Sequence, residues 1–394
     1  KRETLSFADT TVRRSPTVGF TMISDSSEVI TMSSIWGKRI KLSVFGESHG
    51  AAIGGVLDGL PAGIEVNTDF LAEWMKRRTA RSFFGTSRRE TDSFKILSGV
   101  YCGKTTGSPV SVIIENQKAS GNDKDYLTAR PSHSDYVAYV KNGGYNDIRG
   151  GGHYSARLTA SLTFFGGLLA HFLEKEYGVS IGSHVLSVSD IRDRFFNPTG
   201  EDRRVFDTLR KKEFPVISEN AEQAMLGKIL EIKESGDTIG GEIECIVSGL
   251  TVGLGDPVFD GLDSALASVL FSIPSVKSLE FGVSEAWKRP ASEVNDNFAE
   301  NNGEITFATN NSGGLLGGIT SGMPLLFRVG MKPVPSSGRL QSGVNLKTGE
   351  ITEFRSKTPS DSCQLPRSCV IIESAATLAI ADAFVFPSFI KAET

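Results

Sequence analysis

The sequence predicts an α+β domain in which sheets pack around buried helices. Three observations lead there. Four Gly-x3-Gly segments run into β-branched or apolar stretches, two helical stretches are too apolar for a surface, and strands and helices do not alternate strictly as in a doubly wound sheet. A hydrophobic share of 39% in 394 residues supports a sizeable core, and 22% charged residues argue against wholesale disorder.

Residues 1–31 are rich in Ser and Thr and lack the apolar run of a secretory signal, while Glu3, Asp9, Asp25 and Glu28 argue against a transit peptide. They read as a disordered extension ahead of one domain over 32–394. The glycine pairs at 50–54, 103–107, 236–240 and 318–322 precede "GVL", "SPVSVII", "GEIECIV" and "MPLLFRV". These are strand compositions, and the uneven spacing excludes a solenoid. One device reused within a domain suggests internal pseudo-symmetry. "NTDFLAEWMKRR" predicts a helix capped by Thr68 or Asp69, with Leu71, Trp74 and Met75 on one face. "ARLTASLTFFGGLLAHFLEKEYG" predicts a buried helix stopping at Gly178. "ENAEQAMLGKILEIKESG", "FDGLDSALASVLFSI" and "ESAATLAIADAFVF" complete the helices.

Charge and cysteine usage narrow the class. A net charge of −4 does not favour a general nucleic-acid binder. Four cysteines without a CxxC spacing read as reduced and cytosolic, and they offer no zinc set. No run of eighteen apolar residues predicts a membrane span.

The chemistry lies in loops. Of five histidines, His49 in "GESHG", His133 in "ARPSHSD" and His153 in "RGGGHYSAR" sit among Gly, Ser and Arg, whereas His171 and His184 fall in apolar elements and read as structural. "GESHG" is not a nucleophile turn, because neighbouring Ser48 and His49 point to opposite faces. The stretch 76–89 holds six cations, Lys76, Arg77, Arg78, Arg81, Arg88 and Arg89, and no acid. Arg78 continues the inward face of its helix, and with no local acid it predicts an anionic ligand. Three glycines at 150–152 before a helix form a second candidate anion site. Together these residues point to acid/base or electrostatic work on a small polyanion, without a metal.

The ordered motifs "FGESHG", "RPSHSDY", "DIRGGGHYSAR", "GDTIGG", "GLGDPVFDGLDSALA", "SIPSVKSLEFG" and "NNSGGLLGGITSGMPLLFRVGMKP" resemble the chorismate synthase family from about Met32 onward. The resemblance implies a β-α-β sandwich of antiparallel sheets, a homotetramer, and a cytoplasmic enzyme acting on 5-enolpyruvylshikimate-3-phosphate. The implied reaction is a 1,4-elimination of phosphate to chorismate that needs reduced FMN without net redox change. NADPH or a separate flavin reductase would supply the reductant, and neither nucleic acid nor membrane is a partner. His49 matches the histidine that protonates the departing phosphate, with Ser48 beside it. His133 matches the proton donor near the flavin, and Asp361 the aspartate that assists removal of the substrate proton. Arg78, Arg130 and Arg157 match substrate-side arginines, and Arg78 and Arg81 are candidates for NADP. His153, Tyr154, Ser155, Gly317 and the run Lys332, Pro333, Val334, Pro335 and Ser336 match flavin-binding stretches. Pro359-Ser360-Asp361-Ser362-Cys363 stands where the family usually has Arg-His-Asp-Pro-Cys, so an arginine expected at the flavin is proline, with Arg355 or Lys357 to take its place. A non-catalytic relative that binds an anionic ligand is the alternative.

Overall fold

A computed structural model of the chain describes residues 34–79, 92–116, 126–356, 361–388 and 390. Two five-stranded sheets organise it. The N-terminal sheet orders Ile35–Trp36, Lys41–Gly46, Ala52–Asp58, Val110–Glu115 and Phe94–Ser98. The C-terminal sheet orders Ile191–Arg192, Ser180–Val188, Gly241–Ser248, Leu325–Met331 and Val276–Phe281. Every pairing described within them is antiparallel. The strands that accompany the four Gly-x3-Gly segments sit as neighbours in the third and fourth places of each sheet. The first of these segments lies partly inside its strand rather than ahead of it, since the strand begins at Ala52.

Two long helices, Thr159–Tyr177 and Leu365–Ala383, pack against each other. The first lies on Ala52–Asp58 and Val110–Glu115, and the second on Ser180–Val188 and Gly241–Ser248. Both are apolar on most faces because each is covered on several sides, which removes the need for a solvent stripe. Residues 156–177 are long and apolar enough to cross a membrane by length and composition alone, but 89% of their apolar eighteen-residue window is buried inside the fold, as in a core helix. At the crossing, a Cβ on Gly166 would stand 2.3 Å from Cβ of Ser374, so only glycine lets the backbones approach this closely.

The Thr68–Lys76 helix docks on this crossing. Its Trp74 Nε1 donates to Ser374 Oγ at 3.0 Å, and Arg77 forks onto Glu373 at 2.6 and 2.7 Å. The cap is Asn67 rather than Thr68 or Asp69, its side chain accepting from the Phe70 amide. The helix from 159 ends where expected, at Gly178 with φ 69°. The last helix starts at Leu365, eight residues ahead of "ESAATLAIADAFVF", with Pro366 in its first turn where a missing N–H leaves no bond unmade. His184 is fully buried in its strand between Asp193 and Glu244, and His171 faces Glu65 and the Phe70 ring, as befits structural histidines.

Candidate active site

The chain leaves the Lys41–Gly46 strand and turns at once, the Gly50 amide donating to the Glu47 carbonyl at 3.1 Å. Asn116 holds this turn from outside, donating to the carbonyls of Glu47 at 2.9 Å and Gly50 at 3.0 Å. From the other side comes the glycine run: the Ser48 amide donates to the Gly152 carbonyl at 3.1 Å. His49 lies directly on Gly150, whose φ is 58° and where a Cβ would fall 1.9 Å from imidazole Cε1. Gly150 thus seats the His49 ring, a use the sequence did not disclose when the three glycines read as an anion site. Tyr126 meets His49 edge-on at 5.8 Å.

His153 is engaged within the protein. Its Nδ1 donates to the Gly46 carbonyl at 2.9 Å, which leaves Nε2 of the neutral ring to accept from Ser34 Oγ at 2.7 Å. Tyr154 hydroxyl accepts from Asn142, and Ser155 Oγ caps the turn at Arg157.

Arg78 points inward as expected, but it has an acid. Asp92, on the far side of the basic stretch, takes Nε and Nη2 of Arg78 at 2.8 and 3.0 Å, and also Nη1 of Arg157. The expectation of no local partner fails because fourteen residues of chain separate the pair. Burial would raise the Asp92 pKa, but the charges of Arg78 and Arg157 outweigh it and hold the carboxyl below its ordinary value. Arg78 is held below its own ordinary value, by burial first, with the like charges of Arg157 and Arg367 adding to it. Arg157 reaches back through Nε to Asn116 Oδ1 at 3.0 Å. Arg81 lies outside the described residues.

Opposite stands His133. Its Nε2 meets Ser336 Oγ at 2.7 Å, and Lys332 Nζ donates to the Ser132 carbonyl at 3.0 Å. Burial, and then the Arg130 charge, push the His133 pKa down to about 4. Arg130 forks onto Asp135 at 2.7 and 2.8 Å, with Nη2 close to Gly151. The 332–336 run is tied in by Thr238, which donates to the Val334 carbonyl at 2.7 Å, and the next amide, Ile239, donates to Ser362 at 2.8 Å. Asp361 is almost wholly buried and ion-paired with Arg367.

These contacts form a circuit with one gap. It runs from His49 through Gly150 and Gly151 to Arg130, His133, Ser336 and Val334. From there it passes Thr238, Ile239 and Ser362 to Asp361 and Arg367. On the other side of the gap Arg78, Asp92, Arg157 and Asn116 lead to the turn that bears His49, and Arg367 meets Arg78 only as a like charge. Gly317 is not on it. That glycine lies in the turn between Leu315–Leu316 and Ile319–Thr320, ahead of the Leu325–Met331 strand, while Lys332 follows that strand. Asp92, Asn116 and Arg367 were not legible in advance: each acts through a partner far off in sequence.

Comparison with known proteins bears on this geometry. The chorismate synthase family profile matches residues 40–385. A chorismate synthase of Methanosarcina mazei is 38% identical over 365 residues, spanning 92% of this chain and 98% of its own. One from Thermococcus kodakarensis is 38% identical over 350 residues, spanning 88% and 96%. A crystal structure of chorismate synthase superposes with a TM-score of 0.69 at 26% identity, covering 88% of this chain and 92% of its own. The chain belongs to the chorismate synthase family.

Proposed function

We propose that the protein is a chorismate synthase, a carbon–oxygen lyase that eliminates phosphate from 5-enolpyruvylshikimate-3-phosphate to give chorismate. The circuit carries this proposal: residues matching the family's site motifs, drawn from the two ends of the chain, meet around one locus. The substrate bears a phosphate and two carboxylates, and Arg78, Arg130 and Arg157 are the groups to receive them. His49, clamped by Gly150 and Asn116, protonates the departing phosphate, and arginine charge stabilises it as the carbon–oxygen bond breaks. Ser48 orients the same phosphate. Asp361, paired with Arg367, stands where the substrate proton leaves.

The residues around His133 fit a reduced flavin mononucleotide. Burial and the charge of Lys277 hold the Lys332 amine below its ordinary pKa, so an arriving anion relieves a desolvated cation. Lys332 to Ser336, with Tyr154 and Ser155, would hold this cofactor, and His153 would support it through the Gly46 carbonyl. The bound flavin supplies electron density to the elimination without net redox change. His133, neutral at pH 7, takes up a proton only once an anion lies beside it. Gly317, which no contact joins to this circuit, would meet the flavin from a neighbouring copy in a homotetramer. The sandwich arrangement, its internal pseudo-symmetry, a single domain over 32–394 and a cytoplasmic location belong to the same proposal, as does NADPH or a separate reductase as electron source.

The test is anaerobic phosphate release from 5-enolpyruvylshikimate-3-phosphate with dithionite-reduced FMN. Release that depends on reduced FMN supports the assignment. Flavin binding without release locates a defect near Asp361, and absence of both favours a non-catalytic anion-binding relative.

A further inference from the structure

We infer that a cavity beside the candidate active site binds a small organic anion with an apolar body and a carboxylate or phosphate head. The cavity, of about 440 Å³, lies between the Thr68–Lys76 helix, the segment 209–215 and the start of the Leu365–Ala383 helix. That volume falls within the ~300–1,000 Å³ usual for small-molecule sites. Phe70, Trp74, Leu209, Pro215 and Pro366 supply apolar wall. Six cations line it, Lys76, Arg77, Arg210, Lys211, Lys212 and Arg367, against three carboxylates, Glu73, Glu213 and Asp361. It meets the circuit only at Asp361 and Arg367.

Two of these cations, Arg210 and Lys211, are placed to take a ligand. Arg77 and Arg210 both lie over the Trp74 ring, at 4.9 and 5.8 Å from its centre, and Arg77 is fixed by Glu373. Arg210 is not fixed in that way: one Nη donates to the Ile181 carbonyl, the nearest carboxylate is Asp207 at 3.8 Å, and its buried Nε has no hydrogen-bond partner. An anion that accepts from this Nε therefore gains a charge-assisted bond while the Nη donated to Ile181 stays in place. Lys211, exposed at the mouth, has no ion-pair partner among the described residues. The other cations are already committed to Glu73, Glu222 and Asp361, so Arg210 and Lys211 are the discriminating pair. The apolar wall around them excludes a bare inorganic ion as the preferred occupant.

Trp74 reports occupancy. In full-length protein carrying Trp36→Phe and Trp287→Phe, phenyl phosphate is titrated while Trp74 fluorescence is followed, with inorganic phosphate and benzoate in parallel. The expected result is saturable binding of phenyl phosphate or benzoate, inorganic phosphate at least tenfold weaker, and about tenfold loss in Arg210→Met or Lys211→Met. Turnover without added anion should be the same in both variants as in the parent, which also shows that they fold. Equal binding by inorganic phosphate, unchanged affinity in both variants, or no saturable response overturns the assignment. Failure of the enzyme assay leaves this outcome readable, because binding is measured without substrate or flavin.

Discussion

His49 is held by what its neighbours lack. Gly150→Ala would put a methyl where the imidazole now lies, at a φ of 58° that alanine also resists. The expected outcome is a loss of turnover of about 10²-fold or more with an unchanged circular dichroism spectrum; turnover near normal would take His49 out of the chemistry. His133 gives a second test. Its pKa of about 4 lies under the ordinary 6.5, so the unfolded chain takes up the proton first. The stability this site contributes is present above pH 6.5 and is lost as pH falls towards 4. An NMR titration of the His133 ring should show the low value in the free protein and a rise when FMN binds; an unmoved titration would place the flavin elsewhere. The two histidines stood out in the sequence because Gly and Pro bracket them. Asn116 did not, since a side-chain amide that clamps two carbonyls has no local pattern.

Periodicity and composition located five helices, their starts less well, and missed Asp135–Lys141 and Arg203–Lys211, the first too short and the second too polar to show an apolar repeat. The 159–177 helix ends at its glycine because a left-handed cap has a residue signature, whereas Asn67 had two competing cap residues beside it. The last helix was shortened in prospect because "LPRSC" carries no apolar repeat of its own, although it is buried by the layers around it. The contact between the two long helices offers the decisive measurement at this level. Gly166→Ala must push Ser374 away and should lower stability by ~1–3 kcal/mol in urea unfolding, with turnover of the folded fraction retained. A neutral effect would mean that the helices separate more easily than their packing indicates.

The assembled molecule also contains a charged cluster away from the circuit. His184 bridges Asp193 and Glu244, and Arg328 joins Glu244 to Glu280. Burial would lower the His184 pKa, but bonds to the two carboxylates outweigh it and raise it. Its contribution is full below the ordinary 6.5 and is lost as pH rises through the raised value. His184→Gln should cost ~3–5 kcal/mol near neutrality, by removing the cation between two buried carboxylates that keep only Arg328 and backbone amides, and the gap in melting temperature from the parent should narrow in alkali. A gap constant with pH would show that His184 is uncharged. The sequence marked this histidine as structural without indicating its partners, which lie nine and sixty residues away.

The circuit has a consequence for the order of events during synthesis. Its first members lie near residue 49 and its last near 367, and short local runs are joined by links of long reach, His49 to Gly150, His133 to Ser336, Thr238 to Val334 and Ile239 to Ser362. A nascent chain that has made its N-terminal sheet and the Thr159–Tyr177 helix has synthesised His49 and Arg157 but neither Asp361 nor its arginine. Competence therefore arrives late and all at once, when the final helix slides in against Gly166.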